Sequence, residues 1–503
     1  MESFYLKVRK LDIEVGEAMM VMISEDDAVK NNLKSIDKVS LSFDDQKLIA
    51  DIIINPDITP GEVGVLSDIW KKYKLKDGET IKISYVDCDP AAIEAIRKRM
   101  LGKKSSEEDI NIIIKEISEG RMSDVLMTYY VASSFLKEPD LDEMYYTAKA
   151  MAENGNILRF KTKDNIVADK HCMGGVLGNE TTMIVIPIIA SLGITIPKSF
   201  SKAITTPAAT GECVNVLMNI EFNKDEVYKL VQKNNCCLIW GGGKINLAPA
   251  DDRIIRVSYP LSLEPYSKAV ISIMAKKYAM GITHCLIDIP VGTSAKVKTQ
   301  QSALKLKKQF EYVGQKFGMK MDVEITNASQ PIGRGIGPIL QVREVLRILE
   351  QHPSRSLDLE TKSLYLASKL IDLTGYAKGA KALEVATEQL KLGKAHKKMQ
   401  EIIKAQGGKN PNQLADELPL AKYKYDIFAK KNGTIIDFDM KLLNSIARTL
   451  GCPLDIEAGI YLYKQLKEDV DIGDKLFTLY SEDKNRLKDA LKVLEKSEAV
   501  KIL

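Results

Sequence analysis

The segment 169–182, DKHCMGGVLGNETT, brings together residue types that bind anions. Lys170 supplies a mobile positive charge and His171 a second hydrogen-bond donor. The glycine pair frees the backbone to direct amide N–H groups at one point, and a helix beginning near Asn179 would add the positive end of its dipole. The alternative to an anion site is a strand-to-helix turn whose lysine is solvated. The lysine, the amides, the helix start and two threonine hydroxyls together favour binding of an anion. The segment therefore predicts a site for a phosphate-class anion.

A second polar segment, 197–212, has the sequence PKSFSKAITTPAATGE and almost no bulky apolar side chains. Hydroxyls and a lysine on a loop of short residues suit phosphate oxygens or sugar hydroxyls. A hydroxyl-rich surface loop is the alternative, and it is the better interpretation if the segment is taken alone. The polar side chains concerned are Ser199, Ser201, Lys202, Thr205, Thr206 and Thr210.

Other familiar binding motifs have little support. The GGGK run in IWGGGKINL lacks the spacing and the following Ser or Thr of a P-loop, and PIGRGIGP is not a dinucleotide fingerprint. Cys172 follows His171, but adjacent strand residues point to opposite faces, so a buried, supporting cysteine is a better interpretation than a nucleophile. The remaining histidines have no metal-ligand spacing, so we predict neither a metal nor a cofactor: His284, His352 and His396.

The composition is that of a folded protein without a strong charge bias. Of 503 residues 45% are hydrophobic, and 72 Lys and Arg nearly balance 68 Asp and Glu, which gives no reason to expect a nucleic acid polymer as partner. The seven cysteines are scattered and odd in number, which indicates a reducing compartment. The first residues lack the apolar core of a signal peptide, and the longest uncharged stretch, 181–197, is shorter than the roughly 20 residues that span a membrane. We expect a cytoplasmic protein without a membrane partner.

The elements that must position these residues predict an α/β and α+β multidomain fold. Alternating β-formers change to helical periodicity near Asp89, and beyond about Asn165 helices alternate with strands. A Gly, Pro and Asn-rich connector precedes the last segment. The predicted domains are a β-rich N-terminal domain at 1–85, a helical domain at 86–165, a large α/β phosphate-binding domain with a mixed sheet at 166–345, a helical continuation and connector at 346–420, and a small α+β C-terminal domain at 421–503.

Six motifs follow one another in the order DKHCMGGVLGNETT, SKAITTPAATGE, LAPADDRIIRV, SIMAKK, LIDIPVG and SQPIGRGIGP. Together they resemble the thymidine phosphorylase family, and most closely its long branch, which has an extra N-terminal domain and includes AMP phosphorylases. The resemblance covers most of the chain. It implies a pentosyltransferase in which inorganic phosphate attacks the anomeric carbon of a nucleoside or nucleoside 5'-monophosphate, releasing the base with a sugar 1-phosphate or ribose 1,5-bisphosphate. It also implies a homodimer or larger homo-oligomer that needs no cofactor.

The resemblance also implies roles for individual residues. Glu264 is implied to protonate the departing base, and Lys170 and His171 to take part in catalysis. The residues implied to bind phosphate are Lys170, Cys172, Thr182 and Thr210. Those implied to bind the nucleoside or nucleotide are Gly175, Ser201, Lys202, Ala203, Ile204, Thr205, Thr206, Thr210, Arg256, Ser272, Lys276 and Lys296.

Several positions depart from the family pattern. A phenyl ring cannot donate a hydrogen bond, an alanine does not easily adopt the positive φ of a glycine, and a carboxylate near the anion loop would repel phosphate. The departures are Cys172 and Phe200 in place of serines, Lys202 in place of an arginine, Ala209 in place of a glycine, Glu180 in place of a basic residue, and Glu264 in place of an aspartate.

Three functional hypotheses follow from the residues and the resemblance. A nucleoside 5'-monophosphate phosphorylase is favoured by the hydroxyl-rich segment, which would hold a second phosphate. A thymidine phosphorylase is favoured by the pyrimidine-contact positions Arg256, Ser272 and Lys276. A non-catalytic nucleotide-binding paralogue is favoured by the departures at Phe200, Ala209 and Glu264.

Overall fold

The computed structural model describes residues 3–16, 19–44, 46–203, 206–261, 265–293 and 295–503. The chain forms two compact units. One comprises Met1–Pro139 and Pro249–Leu263, and the other Asp140–Ala248 and Glu264–Leu503. Each unit takes residues from more than one predicted domain, so the predicted domain boundaries stay predictions.

The secondary structure changes along the chain from strands to helices and then alternates between them. The strands are β1 (Phe4–Leu11), β2 (Met20–Ile23), β3 (Lys38–Phe43), β4 (Gln46–Ile54), β5 (Glu62–Leu66), β6 (Thr80–Val86), β7 (Ala168–Cys172), β8 (Ile196–Phe200), β9 (Cys236–Trp240), β10 (His284–Val291), β11 (Lys320–Asn327), β12 (Gly335–Ile336), β13 (Tyr423–Phe428), β14 (Gly433–Phe438), β15 (Gly459–Leu462), β16 (Asp469–Val470), β17 (Lys475–Ser481) and β18 (Val500–Ile502). The α-helices are α1 (Glu25–Lys30), α2 (Ser67–Tyr73), α3 (Pro90–Met100), α4 (Glu107–Glu119), α5 (Asp124–Leu136), α6 (Leu141–Glu153), α7 (Thr182–Ser191), α8 (Thr210–Leu217), α9 (Lys224–Asn234), α10 (Pro249–Ser258), α11 (Tyr266–Ala279), α12 (Gln300–Lys316), α13 (Pro338–Leu349), α14 (Leu357–Thr374), α15 (Ala380–Lys391), α16 (Lys394–Ala405), α17 (Met440–Leu450) and α18 (Lys484–Glu495).

The first six strands close a barrel in the order β1-β5-β2-β4-β3-β6. Neighbouring strands are antiparallel except for β1 with β5 and β2 with β4. Every second side chain points inward, and on β4 these are the buried Leu48, Ala50 and Ile52. The alternation of apolar and polar residues therefore supplies the barrel interior, and closure pairs the strand edges that would otherwise be open.

Four helices of the same unit, α3, α4, α5 and α10, pack against one another. Ser106 begins α4 in a capping box with Asp109, and the Ser123 hydroxyl accepts the amide N–H of Leu126 at the start of α5. Such side chains satisfy first-turn amides that have no partner within a helix. Polar residues at the helix starts thus set where the bundle elements begin.

In the second unit, β11-β10-β7 form a three-stranded parallel sheet and β8-β9 form a two-stranded parallel sheet beside it. A parallel bridge between Val167 and Thr195 joins β7 to β8. The predicted mixed sheet is therefore wrong, because every pairing between these five strands is parallel. Crossover connections bring the chain back to the same end of the strands, so each following strand runs in the same direction.

The strand order reverses between β7 and β10. From β7 the chain moves outward to β8 and β9, then returns to the other side of β7 to form β10 and β11. In open α/β sheets the loops that follow the two strands at such a switch point diverge and leave a crevice for a ligand. The expected location of the site is therefore beyond Cys172 and Val291, where β7 and β10 end.

Helices α7 and α13 to α16 contribute to one apolar core with β7 and β8. A C-terminal α+β part has a four-stranded sheet, β12-β15-β17-β13, and a three-stranded sheet, β16-β14-β18, around the core that includes α17 and α18. The multidomain α/β architecture is thus confirmed. Within the described ranges, the helices are too short or too polar to cross a membrane.

Candidate active site

The loops that follow β7 and β10 touch at Gly175. Gly175 has a φ of +83°, and a Cβ atom built there would lie 2.5 Å from the backbone nitrogen of Lys296. Only glycine fits this approach, because any side chain would collide with backbone atoms. The structure therefore brings two predicted substrate-binding residues together at the switch point.

The strand β7 presents different groups on its two faces, since alternate residues point in opposite directions. Asp169 is fully buried and forms ion pairs with Lys277 and, at 3.2 Å, with Lys198. The Lys198 ammonium also donates to the backbone oxygen of Lys170 at 2.7 Å and lies 3.5 Å from Nδ1 of His171. Two lysines share one carboxylate, so this face keeps an excess of positive charge.

The titration of the groups on this face reflects burial and crowding of like charges. Burial lowers the pKa of Lys198 to about 7. The charge of Asp169 acts against this shift, and the charges of the neighbouring lysines add to it. Burial also holds the pKa of His171 well below its ordinary value, which makes the imidazole neutral at physiological pH. The lysines that lower the pKa of His171 further are Lys277, Lys198, Lys170 and Lys276.

The opposite face of β7 carries the predicted phosphate ligand Lys170. Its ammonium is fully buried and donates to the Thr181 hydroxyl at 2.6 Å. Beside it, the Thr210 hydroxyl donates to the two carboxylate oxygens of Glu180 at 3.1 and 3.2 Å. Burial raises the pKa of Glu180 to about 7, although Lys170 acts in the opposite direction. Lys170 and Thr210 are therefore brought together around a buried carboxyl group.

The helix α7 begins at Thr182, not near Asn179 as predicted. Asn179 has a φ of +59°, and its amide donates to the backbone oxygen of Ile332 at 2.8 Å, which keeps the residue outside the helix. Thr181 occupies the N-cap position without a side-chain cap bond. Thr182 is buried in the first turn and directly follows Thr181, the hydroxyl partner of Lys170.

The sulfur of Cys172 accepts hydrogen bonds from the Gly174 amide at 3.3 Å and from the Asn179 side-chain amide at 3.4 Å. Burial, together with Asp288 on β10, raises the pKa of the Cys172 thiol. A protonated thiol that accepts two hydrogen bonds shapes the loop but is a poor nucleophile. Its contribution to phosphate binding stays a prediction.

The polar segment after β8 is held by a carboxylate of its own. Glu212 accepts the amide of Ala203 at 2.9 and 3.0 Å and the amide of Ala209 at 3.1 Å. Ser201 and Lys202 are exposed, while Ala203 and Thr206 are half-buried. The ammonium of Lys202 lies 3.1 Å from Glu221 and 3.8 Å from the ring centre of Trp240. Ile204, Thr205 and the predicted acid Glu264 lie outside the described residues.

The structure accounts for two of the departures from the family pattern. The ring of Phe200 is only 6% exposed and belongs to the core shared with α7, so it fills apolar volume. Ala209 has a φ of −125°, an extended conformation that does not require glycine. The expected backbone strain at Ala209 is therefore absent.

Two more predicted residues, Ser272 and Lys276, are half-buried on α11. Residues four apart lie on the same face of a helix, so the two can act on one ligand. Arg256 lies on α10 in the other unit, where it forms an ion pair with Asp124 at 2.6 Å. Lys276 lies close enough to β7 for its charge to lower the pKa of His171. Arg256 is paired with Asp124 within its own unit.

Three residues of the site were not predicted: Asp169, Lys198 and Lys277. Their signal is that all three charged side chains are buried, which is uncommon unless the charge is paired, and burial is read from the structure and not from the sequence. Glu180 was recognised only as a charge near the anion loop, and its contact with Thr210 was not foreseen. In the described ranges, no group of three His, Cys, Asp or Glu side chains could hold a metal ion.

A cavity of about 230 Å³ borders the same loops. Backbone and small side chains of the glycine loop form one wall, and α17 of the C-terminal part forms another. Its lining residues are Gly175, Val176, Leu177, Gly178, Thr206, Pro207, Ala208, Ile336, Gln341, Met440, Lys441 and Asn444. The C-terminal part therefore reaches the loops that carry predicted substrate residues.

Three family models match successive parts of the chain. Residues 93–155 match the helical bundle domain of a glycosyl transferase family, and residues 164–396 match the a/b domain of a glycosyl transferase family. Residues 434–501 match a pyrimidine nucleoside phosphorylase C-terminal domain. The a/b match includes β7 to β11 and every loop of the site.

Whole-length relatives carry two different names. The AMP phosphorylase of Thermofilum pendens is 37% identical over 98% of this chain and 94% of its own length, and that of Thermococcus sibiricus is 37% identical over 99% and 97%. A Bradyrhizobium diazoefficiens protein named "Putative thymidine phosphorylase" is 37% identical over 95% of this chain and 92% of its own. Anthranilate phosphoribosyltransferase of Thermus thermophilus is similar in fold, with a TM-score of 0.53 and 14% identity over 62% of this chain and 99% of that chain.

Proposed function

Because this chain belongs to the family of the AMP and thymidine phosphorylases, we propose that its substrate is a nucleoside 5'-monophosphate, as in the AMP phosphorylases. The chain is a pentosyltransferase of the nucleoside phosphorolysis type. The open question is which nucleoside or nucleotide it accepts.

The observation that carries the monophosphate proposal is the exposed rim formed by Ser201 and Lys202. A Cβ atom at Gly211, in the first turn of α8, would lie 3.0 Å from the backbone oxygen of Ser201. The rim therefore adjoins Thr210, which belongs to the proposed acceptor site. A 5'-phosphate would find a hydroxyl, an ammonium and a helix start there, which are the groups that bind phosphates.

The acceptor phosphate would bind between β7 and α8. Lys170 and the Thr210 hydroxyl are the proposed ligands, and the excess charge of Lys198 and Lys277 adds to the attraction. A phosphate oxygen forms the new bond to the anomeric carbon while the bond from that carbon to the base nitrogen breaks. The electron pair and one proton go to the base, and the proposed proton donor is Glu264.

A second candidate is a nucleoside such as thymidine without a 5'-phosphate. It is favoured by the engagement of Lys202 with Glu221 and Trp240, which directs the ammonium to a protein carboxylate. Glu212 likewise occupies the amides of Ala203 and Ala209, which a second phosphate would otherwise use. The third candidate, a non-catalytic paralogue, loses support because Phe200 lies in the core and Ala209 needs no positive φ.

The test is phosphate-dependent release of free base from AMP, CMP, UMP, adenosine, uridine and thymidine. Release from the monophosphates and not from the nucleosides supports the proposal, whereas release from thymidine alone supports the second candidate. Arsenate serves as a second acceptor, and Lys170→Ala is the control that removes the proposed acceptor ligand. Silence across the panel, with folded protein, would exclude both.

We also propose a homodimer or larger homo-oligomer and a cytoplasmic location. The first rests on the family, and the second on the seven cysteines, which are free thiols in the structure. Light scattering coupled to size-exclusion chromatography tests the assembly, and a monomer at micromolar concentration would contradict it.

A further inference from the structure

Glu180 has the contacts that a bound oxyanion would have. Its side chain is 4% exposed between β7 and the start of α7. Thr210 donates to the two carboxylate oxygens, and the backbone amide of Met183, in the first turn of α7, also forms a hydrogen bond with the carboxyl group. Lys170 is close enough to influence its charge. Hydroxyl, helix start and ammonium are the donors expected for phosphate.

An oxyanion cannot share these donors with a charged carboxylate at low cost. Two negative groups in one buried site repel each other, and the usual outcome is that one of them binds a proton. A protonated carboxyl group keeps one O–H donor, and an O–H donor makes a short, strong hydrogen bond to an anionic oxygen. Protonation therefore converts Glu180 from a competitor into a ligand.

We propose that Glu180 is an anion-binding residue of the acceptor subsite, which takes up one proton from solvent when an oxyanion binds beside Lys170 and Thr210 and donates that proton as a hydrogen bond to the anion. This inference rests on the proposed phosphate subsite. It adds a condition that the subsite itself does not require, namely that anion binding and proton binding are coupled.

The surroundings of Glu180 allow such a change of charge. The titratable groups that face it are Lys170 from β7, Lys198 from β8 and Cys213 from α8. Burial is the largest influence, and it brings the pKa of Glu180 to about 7 in the ligand-free chain. Burial and the nearby Glu180 and Glu212 hold the pKa of the Cys213 thiol well above its ordinary value, so Cys213 stays uncharged. For Glu180 to stay protonated above pH 8, a bound anion must raise the pKa of its carboxyl group by at least about two further units.

The test uses sulfate, which stays a dianion between pH 6 and 9 and therefore separates the titration of the protein from that of phosphate. Titration calorimetry in two buffers of different ionisation enthalpy counts the protons taken up on binding. For the wild type we expect uptake of close to one proton above pH 8, and an affinity that falls about tenfold per pH unit there. For Glu180→Gln we expect no uptake and a flat affinity.

Glu384→Gln on the exposed side of α15, where Glu384 pairs with Lys381, is the matched control and should behave as the wild type. Lys198 also titrates near pH 7. Proton uptake that persists in Glu180→Gln would therefore overturn the inference and point to Lys198. Sulfate binding without proton uptake by the wild type would overturn it as well, while leaving the acceptor subsite intact.

A spectroscopic measurement keeps the inference falsifiable if Glu180→Gln does not fold. Infrared difference spectra of the wild type, with and without sulfate at pH 8.5, should show a new C=O stretching band of a protonated carboxyl group. The absence of this band in sulfate-saturated protein contradicts the inference. If the wild type and Lys170→Ala both fail to bind sulfate or phosphate, the proposed acceptor subsite is wrong, and the inference is overturned with it.

Discussion

Two buried carboxyl groups lie close to β7, and their partners differ in kind. Asp169 is held between the ammonium groups of Lys198 and Lys277. Glu180 is held by the hydroxyl of Thr210 and by the start of α7. A buried carboxylate between two cations is a fixed part of the structure, because removing either sign leaves the other unpaired. Burial raises the pKa of Glu180 to about 7 despite the nearby Lys170, so this carboxyl group can gain or lose a proton and respond to a ligand.

One strand therefore supplies both a fixed framework and an adjustable site. On the Asp169 face, ion pairs link β7, β8 and α11. The Lys170 face carries groups whose partners could be exchanged for phosphate. Substitutions on each face can therefore be tested separately.

The largest effect is expected for Asp169→Asn. It leaves two buried ammonium groups without a carboxylate, and breaking a buried pair in this way costs about 3 to 5 kcal/mol of unfolding free energy. Urea denaturation at pH 7 measures the change. Asp489→Asn removes the partner of exposed Lys492 and is the control, which should change stability by less than about 1 kcal/mol. Equal effects of the two variants would contradict a structural role for the Asp169 cluster.

The next effect is expected for Lys170→Ala on catalysis. Loss of one preorganised donor to a reacting anion lowers turnover by about 10² to 10³. Initial rates of base release at varied phosphate concentration, together with thermal unfolding to establish that the variant is folded, measure this. A folded variant that loses less than tenfold in kcat/KM for phosphate would show that Lys170 does not contact the acceptor.

A smaller effect is expected for Glu180→Gln on stability. Burial raises the pKa of Glu180 to about 7, so the folded chain binds this proton more tightly than the unfolded chain. The stability due to that proton is present below the ordinary glutamate pKa and is lost as the pH rises through about 7. At pH 8 the variant should therefore be more stable than the wild type, by up to about 3 kcal/mol, with little difference at pH 5.

Urea denaturation at pH 5 and pH 8 measures this difference, with Glu384→Gln as the exposed control. A variant that is equally destabilised at both pH values would indicate that Glu180 serves as a hydrogen-bond acceptor only. That outcome would remove the contrast with Asp169.

The smallest effect is expected for Lys202→Ala at the rim. If Lys202 binds the 5'-phosphate, the KM for the monophosphate substrate should rise about tenfold, since a hydrogen bond to a charged group is worth about 1.5 to 3 kcal/mol. The rates for the matching nucleoside should not change. An equal effect on both substrates would favour the nucleoside alternative, with Lys202 serving only to hold Glu221 and Trp240.

Part of the fold could be predicted because its signals are local. The barrel strands alternate apolar and polar residues, and Ser123 and Asp140, which are residue types that favour N-caps, accept hydrogen bonds from the first turns of α5 and α6. Of the neighbouring Ser105 and Ser106, it is Ser106 that forms the capping box of α4. Adjacent serines have the same chemistry, so only the backbone path decides which of them caps the helix.

For the sheet, only its occurrence in an α/β domain could be predicted. Alternating helices and strands indicate an α/β domain, but the order of the strands depends on which side of β7 each crossover passes. Gly175 and Lys296 lie 121 positions apart in the sequence, and that strand order is what brings their loops together. Glycine at 175 signals a tight loop but does not identify its neighbour.

Motifs and periodicity are properties of neighbouring residues, so the sequence was enough to assign the chain to its family and to predict an anion loop and the elements that surround it. Tertiary structure alone decided the parallel strand order, the burial of Phe200 in the core, the sharing of Asp169 by two lysines and the contact of Glu180 with Thr210. These depend on how distant segments pack, and charge pairing in a low-dielectric interior is set by distances that spacing along the chain does not reveal.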